Sequence, residues 1–422
     1  MNKTLSRLAL AVMAAGLTAN AASAQVLFWS NQAVPVEETQ KMREQVLKNF
    51  PGGVDFQPQE PGPFITRIEA ERDAGSGSIG VVGGLYGELS TYAAAWIDLS
   101  DVDLGGVKPS PAFMELGKLG TSEQKFLPWM QATYVMAANK QALQYLPEGA
   151  DLNALTYDQL IDWAKATAEA TGSPKFGFPA GPKGLKHRFF QGFLLPAYTG
   201  STVTKFRSAE AETAWTSFKN LWQYTNPAST TYDFMQEPLL TGDVWIAFDH
   251  IARLGEAFNQ RPDDFVAFPA PAGPKGRAFM PVLAGIAVPS TAPDAAKAKE
   301  LVAYMMQPAQ QVATLIATNF FPTTDAPLPA DLPNAARALG PAVTAMTSAP
   351  DALPAMLPIG LGDKGGLFNQ VYVDTFERAV LAGQDLRQVL DQQAEALRAV
   401  MNEAGAPCWL PDAPSQGACP VD

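Results

Sequence analysis

Short apolar runs alternate with helical segments along most of this 422-residue chain. The run VLFWS (26–30) has the composition of a buried strand, and Pro35 then opens a segment whose apolar residues recur at helical spacing. The strand-like run VDFQ (54–57) is likewise followed by a helical segment, 64–74. Strands that alternate with helices usually form parallel sheets whose faces are covered by those helices. The pattern therefore predicts an α/β fold whose sheets are mostly parallel.

The same alternation continues towards the C-terminal end. The predicted strands there are 133–138, 244–248, 264–268 and 282–288, and the predicted helices are about 156–170, 250–259, 294–306 and 384–403. Thr156 and Gln159 have the spacing of a capping box at the start of one helix. A chain of this length exceeds what one simple hydrophobic core usually supports, so we expect two lobes.

Residues 75–80, GSGSIG, match G-x-G-x-x-G, the phosphate-binding pattern of dinucleotide-binding enzymes. The pattern binds a pyrophosphate only when a strand precedes the glycines and a helix follows them, because the helix N-terminus must face the phosphate. Here the helical segment 64–74 precedes the glycines, and the strand-like IGVVGG follows. We therefore interpret the glycines as a helix stop and a tight turn into a buried strand.

The first 24 residues have the pattern of an export signal. Lys3 and Arg7 supply positive charge, residues 8–17 form an apolar run too short to span a bilayer comfortably, and residues 22–24 read Ala-Ser-Ala, a typical cleavage site. Residue 25 is Gln rather than the Cys that lipid anchoring requires. We therefore expect a soluble, exported chain that begins near Gln25 and is not lipid-anchored.

The chain is acidic, with a formal net charge of −12 and no long basic tract. An acidic chain of this kind is a poor ligand for nucleic acids or anionic membranes. After residue 24, no apolar run has transmembrane length. We therefore expect neither a nucleic-acid partner nor a membrane span, and no pattern indicates a cofactor or a metal site.

The two cysteines, Cys408 and Cys419, lie in a Pro-rich tail, 406–422. In an oxidising compartment we expect them to form a disulfide that fixes the tail. In the chain-entropy model, closing so short a loop contributes about 3 kcal/mol. Two unpaired thiols are the alternative, whereas a metal site is disfavoured because His187 and His250 lie far away in the sequence.

Four segments carry a family resemblance: FITRIEAERDAGSGSIGVV (64–82), LPWMQATYVMAANKQAL (127–143), EPLLTGDVWIAFDHIA (237–252), and residues 268–311 with their Pro-x-Pro-x-Gly-Pro segment. Their order resembles that of the extracellular solute-binding proteins of ABC importers, in the branch that takes maltose and other sugars. One motif departs from the family, because residues 78–80 read Ser-Ile-Gly where the family usually has Pro-Asp ahead of a strand.

The resemblance implies an α/β, two-lobed periplasmic-binding-protein fold of type II, with discontinuous lobes joined by hinge crossovers. The implied boundaries are 25–134 plus 277–325 for the first lobe and 135–276 plus 326–405 for the second, followed by the tail. The resemblance also implies a periplasmic monomer that closes on a carbohydrate and delivers it to the permease subunits of an ABC transporter in the inner membrane. No catalysis and no cofactor are implied.

A sugar has C–H faces that stack on aromatic rings and hydroxyls that need fixed donors and acceptors. Because open α/β sheets bind ligands at the carboxyl ends of their strands, aromatic and polar residues near those ends are candidates. Three strand regions supply Trp29, Asn31 and Gln32; Tyr86; and Trp245, Asp249, His250 and Arg253. Trp129, Gly285 and, in a loop that faces the cleft in the family, Phe320 and Phe321 complete the set.

Each candidate also has a purely structural interpretation. Trp29 and Trp129 suit a hydrophobic core, and Gly285 suits close strand packing. Asp249 suits a helix N-cap, and Arg253 suits a surface salt bridge. Both interpretations stay open at the level of sequence.

Two other function classes remain. A secreted glycoside hydrolase would need two carboxylates about 5 to 9.5 Å apart across a cleft, and no segment of the sequence indicates such a pair. Ser-His-Asp catalysis is disfavoured, because G-x-S-x-G is absent and the chain has only two histidines. The same fold can also bind an oligopeptide, a polyamine or an anion, although the aromatic candidates favour an uncharged sugar or polyol.

Overall fold

The computed structural model describes residues 25–422, so the predicted export signal lies outside the described residues. The described chain forms two lobes, each built around a β-sheet. The strands are, in chain order, β1 (Val26–Ser30), β2 (Val54–Pro58), β3 (Val81–Leu85), β4 (Leu127–Ala132), β5 (Tyr134–Asn139), β6 (Phe176–Gly177), β7 (Ile246–His250), β8 (Phe265–Phe268), β9 (Arg277–Phe279), β10 (Val282–Ala287), β11 (Phe321–Pro322) and β12 (Ala352–Pro354).

Helices cover both sheets. The α-helices are α1 (Val36–Lys41), α2 (Pro61–Ala74), α3 (Tyr86–Thr91), α4 (Pro111–Gly117), α5 (Tyr157–Thr171), α6 (Lys186–Phe189), α7 (Leu195–Thr199), α8 (Ala209–Trp222), α9 (Gln236–Thr241), α10 (Ile251–Gln260), α11 (Ala295–Met305), α12 (Pro308–Thr318), α13 (Asn334–Thr347), α14 (Gly365–Phe376) and α15 (Leu386–Ala404). π-helical turns continue three of them, at Met42–Val46, Phe190–Leu194 and Glu377–Leu381. The predicted capping box is confirmed, since Thr156 and Gln159 bond reciprocally at the start of α5.

The first lobe contains a six-stranded sheet in the order β11-β4-β10-β3-β1-β2. β1 is parallel to both β2 and β3, whereas β10 lies antiparallel between β3 and β4. Phe28 on β1 packs against Phe56 and Trp129, with ring centroids 5.2 and 5.4 Å away. Aromatic side chains from three strands thus fill the core of this lobe.

The second lobe contains a four-stranded sheet in the order β6-β7-β5-β8. β6 and β7 are parallel, and β5 is antiparallel to both β7 and β8. Its core is also aromatic: the ring of Phe248 on β7 lies 4.7 Å from that of Phe189 on α6. A small parallel pair, β9 with β12, lies beside the passage to β10.

The chain passes between the lobes at Thr133, between β4 and β5, and at Met280 and Pro281, between β9 and β10. The two passages are joined by a hydrogen bond from Thr133 Oγ1 to the carbonyl oxygen of Met280, 2.9 Å long. A third passage follows β11 on the way to α13. The expectation of mostly parallel sheets is wrong. β10 starts at a passage, next to the edge at which β1, β3 and β4 end, and therefore runs antiparallel to its neighbours β3 and β4.

The glycines of GSGSIG lie between a helix and a strand, as predicted. Helix α2 ends at Ala74, Gly75 takes a left-handed φ of 65° as its C-cap, and β3 begins at Val81. The Glu71 carboxylate accepts from the backbone N–H groups of Ser78 and Ile79, both at 3.1 Å. These N–H groups are therefore occupied by the protein itself and do not form a phosphate cradle.

The predicted disulfide is confirmed: Cys408 and Cys419 are bonded, with their Cα atoms 4.6 Å apart. Within the closed loop, the buried Asp412 carboxylate accepts from the backbone N–H groups of residues 202–204 at 2.8 to 3.0 Å. The tail is thereby attached to the second lobe. No helix within residues 25–422 is long and apolar enough to cross a membrane.

Candidate functional site

The carboxyl ends of the parallel strands in each sheet lie next to the passages between the lobes. In the first lobe, β1 and β3 end at Ser30 and Leu85, and Leu85 pairs with Ala284 near the start of β10. In the second lobe, β7 ends at His250, which pairs with Tyr134, the first residue of β5. Because β5 and β10 both begin at a passage, the two sets of strand ends face each other. We call the space between them the cleft.

The two lobes contact each other at two places beside the cleft. The rings of His250 and Phe320 lie 5.2 Å apart where the third passage begins. Gly87 in α3 lies against the segment between β12 and α14, so closely that a Cβ atom there would be 2.2 Å from the carbonyl oxygen of Pro358. Only glycine permits this approach, which brings the first-lobe edge against the second lobe.

The first-lobe wall of the cleft is a network of amide groups around a carboxylate. Glu88 Oε2 accepts from Asn31 Nδ2 at 2.6 Å and from the backbone N–H of Leu85 at 3.0 Å. Gln32 Nε2 donates to Asn31 Oδ1 at 2.7 Å. The predicted candidates Asn31 and Gln32 are therefore brought together, both half-buried, with the half-buried Glu88 as their centre.

Glu88 was not among the residues predicted from the sequence. Burial raises its pKa, and the hydrogen bonds from Asn31 and Leu85 and the charge of Arg188 in the second lobe oppose that rise. Its spacing from Leu85 was a usable signal, because an acidic residue at the third position of a helix commonly accepts from the N-cap backbone. Glu88 offers a second oxygen, Oε1, that makes no hydrogen bond within residues 25–422.

Asp249 lies inside the second-lobe wall rather than on its surface. Its side chain is fully buried, Oδ2 accepts from the backbone N–H of Met235 at 2.8 Å, and Oδ1 accepts from that of His250 at 2.7 Å. Burial raises the pKa of Asp249 to about 7, although the charge of Arg253 and the two hydrogen bonds favour the ionised form. Asp249 therefore holds the loop before α9 against β7.

His250 has one hydrogen-bond donor that makes no hydrogen bond within residues 25–422. Its Nδ1 accepts from the backbone N–H of Ala252 at 3.3 Å, which assigns the remaining proton to Nε2. The ring packs against Tyr134 at 5.0 Å, and burial together with the charges of Arg253 and Arg188 lowers its pKa to about 3. At neutral pH, His250 is an uncharged donor at the carboxyl end of β7.

Arg253 lies one turn into α10 and is half-buried. Its Nη1 donates to the carbonyl oxygens of Lys183 and Asp233 at 3.4 and 3.3 Å, and its guanidinium lies 4.6 Å from the ring centroid of Phe234. Phe234 is 44 % exposed, which makes it a solvent-facing aromatic ring beside a cation. Sequence reasoning missed Phe234, because it follows no strand.

Arg188 in α6 was also missed. It is half-buried, and its Nη1 lies 3.8 Å from Met280 Sδ at the second passage. Its charge lowers the pKa of both Glu88 and His250, so its electrostatic effect reaches both walls. The available signal was the basic run KGLKHR (183–188), which follows β6 at the carboxyl edge.

Tyr86 is the first residue of α3 and is half-buried. Its ring lies 6.4 Å from that of Phe126, and burial raises the pKa of its hydroxyl group. The hydroxyl makes no hydrogen bond within residues 25–422, although it sits at the carboxyl end of β3. The Tyr86 hydroxyl group at the first-lobe wall therefore remains able to donate and accept hydrogen bonds.

The structure places two predicted tryptophans in the hydrophobic core. Trp29 is 5 % exposed, donates from Nε1 to the carbonyl oxygen of Phe64 at 3.1 Å, and is covered by the Arg67 guanidinium at 4.5 Å. Trp129 is fully buried beneath Phe28. In this conformation, neither ring has a free face for a solute.

Trp245 and Gly285 also lie away from the cleft. Trp245 precedes β7, at the edge opposite His250, where Lys175 Nζ lies 5.7 Å from its ring. A Cβ atom on Gly285 would lie 2.1 Å from the ring of Phe126, so the glycine accommodates that ring. Both positions are explained by packing.

A cavity of about 1620 Å³ borders the passages without including the polar groups just described. Its lining includes Thr133, Pro281 and Phe321, together with residues of α4 and α13. Asn31, Glu88, Arg188 and His250 do not line it. The residues that line this cavity therefore differ from the polar groups of the cleft. Within residues 25–422, no cluster of three His, Cys, Asp or Glu side chains could hold a metal ion.

Residues 42–339, well over half of the chain, match the sequence profile of a family described as bacterial extracellular solute-binding proteins. No curated protein sequence matches the chain. The maltose-bound MalE3 of T. maritima has a TM-score of 0.72 and 16% sequence identity, over 89% of this chain and 99% of that one.

Two further structures show the same architecture. Lmo0181 of Listeria monocytogenes, in complex with cycloalternan, has a TM-score of 0.68 and 15% identity, over 90% of this chain and 99% of that one. UgpB of Mycobacterium tuberculosis, in complex with glycerophosphocholine, has a TM-score of 0.68 and 17% identity, with the same coverage. The predicted two-lobed α/β fold is therefore confirmed.

Proposed function

The chain belongs to the bacterial extracellular solute-binding proteins, as its motif order predicted, and we propose that it captures a carbohydrate for an ABC importer. The proposal is carried by one observation: strand ends from two sheets face each other and hold polar groups with unfilled hydrogen-bonding capacity. These groups include Glu88 Oε1, the Tyr86 hydroxyl, His250 Nε2 and the Arg188 guanidinium. Donors and acceptors in such a ring match the hydroxyls of a sugar.

Aromatic surface is also available in the cleft region. Phe234 exposes 44 % of its surface beside Arg253, and Tyr86 is half-exposed on the opposite wall. Aromatic faces pack well against the C–H faces of a sugar ring. Structures of similar fold are known with maltose and with cycloalternan, which supports a sugar for this chain as well.

The carbohydrate would hold the lobes together. A ligand favours the closed form only to the extent that it makes more contacts there than in the open form. A solute that touches Glu88 in the first lobe and Arg188 or His250 in the second makes both sets of contacts only when the lobes are closed. The closed protein would then be the form that the permease subunits recognise.

Binding without catalysis is favoured by the state of the two carboxylates near the cleft. A glycoside hydrolase needs an acid and a second carboxylate that both reach the scissile bond. Asp249 has each oxygen occupied by a backbone N–H group and is fully buried. Of these two carboxylates only Glu88 has a free oxygen, and we propose that a bound sugar leaves unchanged.

The location and assembly of the protein follow from the same proposal. We propose a cleaved export signal at residues 1–24, no lipid anchor, and a periplasmic monomer that meets the permease at the inner membrane. We also propose lobes close to the predicted 25–134 plus 277–325 and 135–276 plus 326–405, with the first two boundaries moved to the passages at Thr133 and at Met280 and Pro281.

A melting-temperature screen over a carbohydrate library tests the function. At a sugar concentration about 100 times Kd, the free energy of unfolding should rise by about 2.7 kcal/mol. The sugar should be recovered intact, and scattering should show a smaller radius of gyration in its presence. Recovery of a cleaved sugar would favour the secreted hydrolase instead, and stabilisation by a peptide or polyamine alone would favour another solute.

A further inference from the structure

Positive charge is concentrated on the second-lobe wall of the cleft. Lys183, Lys186 and Arg188 follow β6, and Arg253 follows β7, all at the carboxyl edge of the sheet. The chain as a whole carries a formal charge of −12, so this concentration does not reflect a generally basic composition. A wall of one sign raises the local concentration of solutes of the opposite sign.

Lys183 is exposed, and the other two cations of this wall besides Arg188 have partners within the protein. Lys186 Nζ donates to the carbonyl oxygen of Ala180 at 3.1 Å and lies 3.8 Å from a Glu377 carboxylate oxygen. Arg253 stacks on Phe234 and donates to two carbonyl oxygens. Their positions are accounted for by these contacts.

Arg188 differs from them. Within residues 25–422, its side chain donates to Met280 Sδ at 3.8 Å and to no oxygen atom, although the residue is half-buried. A half-buried guanidinium without an acceptor carries a desolvation cost that a bound oxyanion would offset. The planar fork of N–H groups fits the two oxygens of a carboxylate or phosphate.

The titratable groups that face Arg188 do not supply a strong counter-charge. Burial raises the pKa of Glu88 and the charge of Arg188 opposes that rise, but within residues 25–422 no carboxylate oxygen accepts a hydrogen bond from the guanidinium. Burial lowers the pKa of His187 and that of His250, and both rings are neutral at pH 7. The guanidinium charge is therefore incompletely balanced by the cleft itself.

We propose that the carbohydrate bound by this protein carries an oxyanion, a carboxylate or a phosphate, and that Arg188 binds it through two N–H groups. The inference rests on the proposed function and narrows its substrate class. It replaces the uncharged solute that the aromatic candidates favoured in the sequence.

One competing role for Arg188 is an ion pair with Glu88 that forms between the lobes on closure. The two roles predict opposite effects of Glu88→Gln, a substitution that keeps the side-chain shape and removes the carboxylate. If Arg188 binds the solute, the variant should prefer anionic over neutral sugars more strongly, because a nearby acidic group is gone. If Arg188 instead forms an ion pair with Glu88, Glu88→Gln should lose affinity for the solute, as Arg188→Gln does.

The test is titration calorimetry with matched sugars. The panel pairs D-glucose with D-glucuronate and glucose 6-phosphate, and D-galactose with D-galacturonate and galactose 6-phosphate. We expect an anionic member to bind at least about tenfold more tightly than its neutral counterpart, and added salt to weaken it. The carboxylate and phosphate arms distinguish the two sources of the oxyanion.

Arg188→Gln should weaken binding of the anionic member by at least about tenfold more than binding of the neutral member, which abolishes the preference. Arg261→Gln is the matched control, since Arg261 is exposed and lies before β8, at the opposite edge of the same sheet. Tighter binding of the neutral member, or equal effects of Arg188→Gln and Arg261→Gln, would overturn the inference and leave the proposed function intact. If no member of the panel binds, the inference is overturned, whereas the proposed function is decided by the melting-temperature screen over the carbohydrate library.

Discussion

Glu88 in the first-lobe wall and Asp249 in the second-lobe wall differ in what their carboxylate oxygens contact. Glu88 in the first lobe is half-buried and keeps one oxygen without a hydrogen bond inside residues 25–422. Asp249 in the second lobe is fully buried, and backbone N–H groups occupy both of its oxygens. The same functional group is therefore available to a solute on one wall and part of the scaffold on the other.

The difference shows that a position at a strand end does not by itself leave a carboxylate oxygen free of protein hydrogen bonds. Asp249 is the last residue but one of β7, whereas Glu88 lies three residues beyond β3 on a helix. Only the second placement carries the carboxylate past the backbone of its own strand. The remaining predictions test this contrast between the walls.

The largest expected effect is on folding stability. Asp249→Ala leaves the N–H groups of Met235 and His250 buried without acceptors, and each such group costs about 1–3 kcal/mol. We therefore expect the free energy of unfolding to fall by about 2–4 kcal/mol, measured by urea denaturation. Glu88→Ala should cost less than about 1 kcal/mol and instead weaken solute binding. Equal losses of stability in the two variants would contradict the contrast.

The second-lobe wall should also show two opposite pH dependences. The pKa of Asp249 is raised to about 7 on folding, so stability that is present below about pH 4 is lost as pH rises towards 7. The pKa of His250 is lowered to about 3, so stability that is present above its unfolded pKa near 6.5 is lost as pH falls. Between pH 4 and 6.5 the two dependences largely cancel.

Single substitutions should separate them. In Asp249→Asn, the remaining His250 makes stability increase with pH between about 4 and 6.5, by at most about 1.4 kcal/mol per unit. In His250→Gln, stability should decrease over the same range. Glu88 and His187 are present in all three proteins, so the informative quantity is each variant's slope minus that of the wild type. Identical slopes in both variants would show that the two groups do not titrate as a pair of opposite sign.

A smaller effect is expected for Asn31→Ala on the first-lobe wall. The substitution removes the 2.6 Å hydrogen bond to Glu88 and the acceptor for Gln32, so the network no longer holds the carboxylate in place. We expect solute affinity to fall about tenfold, or about 1.4 kcal/mol, in calorimetry. Asn220→Ala on the exposed face of α8 is the control and should bind as the wild type does.

Sequence reasoning succeeded for the fold because its signals are local. Apolar runs, capping residues and glycine stops placed the predicted strands, and the helices predicted after residue 60, with ends within three residues of those observed. The segment predicted to be helical after Pro35 is helical only as far as Val46. The direction of a strand within its sheet could not be predicted from such local signals. Whether β10 enters its sheet parallel or antiparallel depends on where the chain crosses between lobes, which no local pattern encodes.

The candidate site was predicted only in part, for a related reason. Asn31 and Gln32 lie on the first-lobe wall, and His250 and Arg253 lie on the second. The positions of the aromatic side chains were harder to predict, because a tryptophan near a strand end gives the same sequence pattern whether its ring faces a cleft or a hydrophobic core. Arg188 was missed because its position depends on how α6 packs against the passage at Met280.

Trp245 should show the smallest effect on binding, and it tests which edge of the second sheet forms the cleft. It precedes the five residues of β7, and at about 3.3 Å per residue it lies about 16 Å from His250. Trp245→Ala should therefore change solute affinity by less than about twofold in calorimetry, even if loss of the half-buried ring lowers the melting temperature. A tenfold loss, comparable to that expected of Arg188→Gln, would place the solute at the amino end of β7 and remove the basis for comparing the two walls.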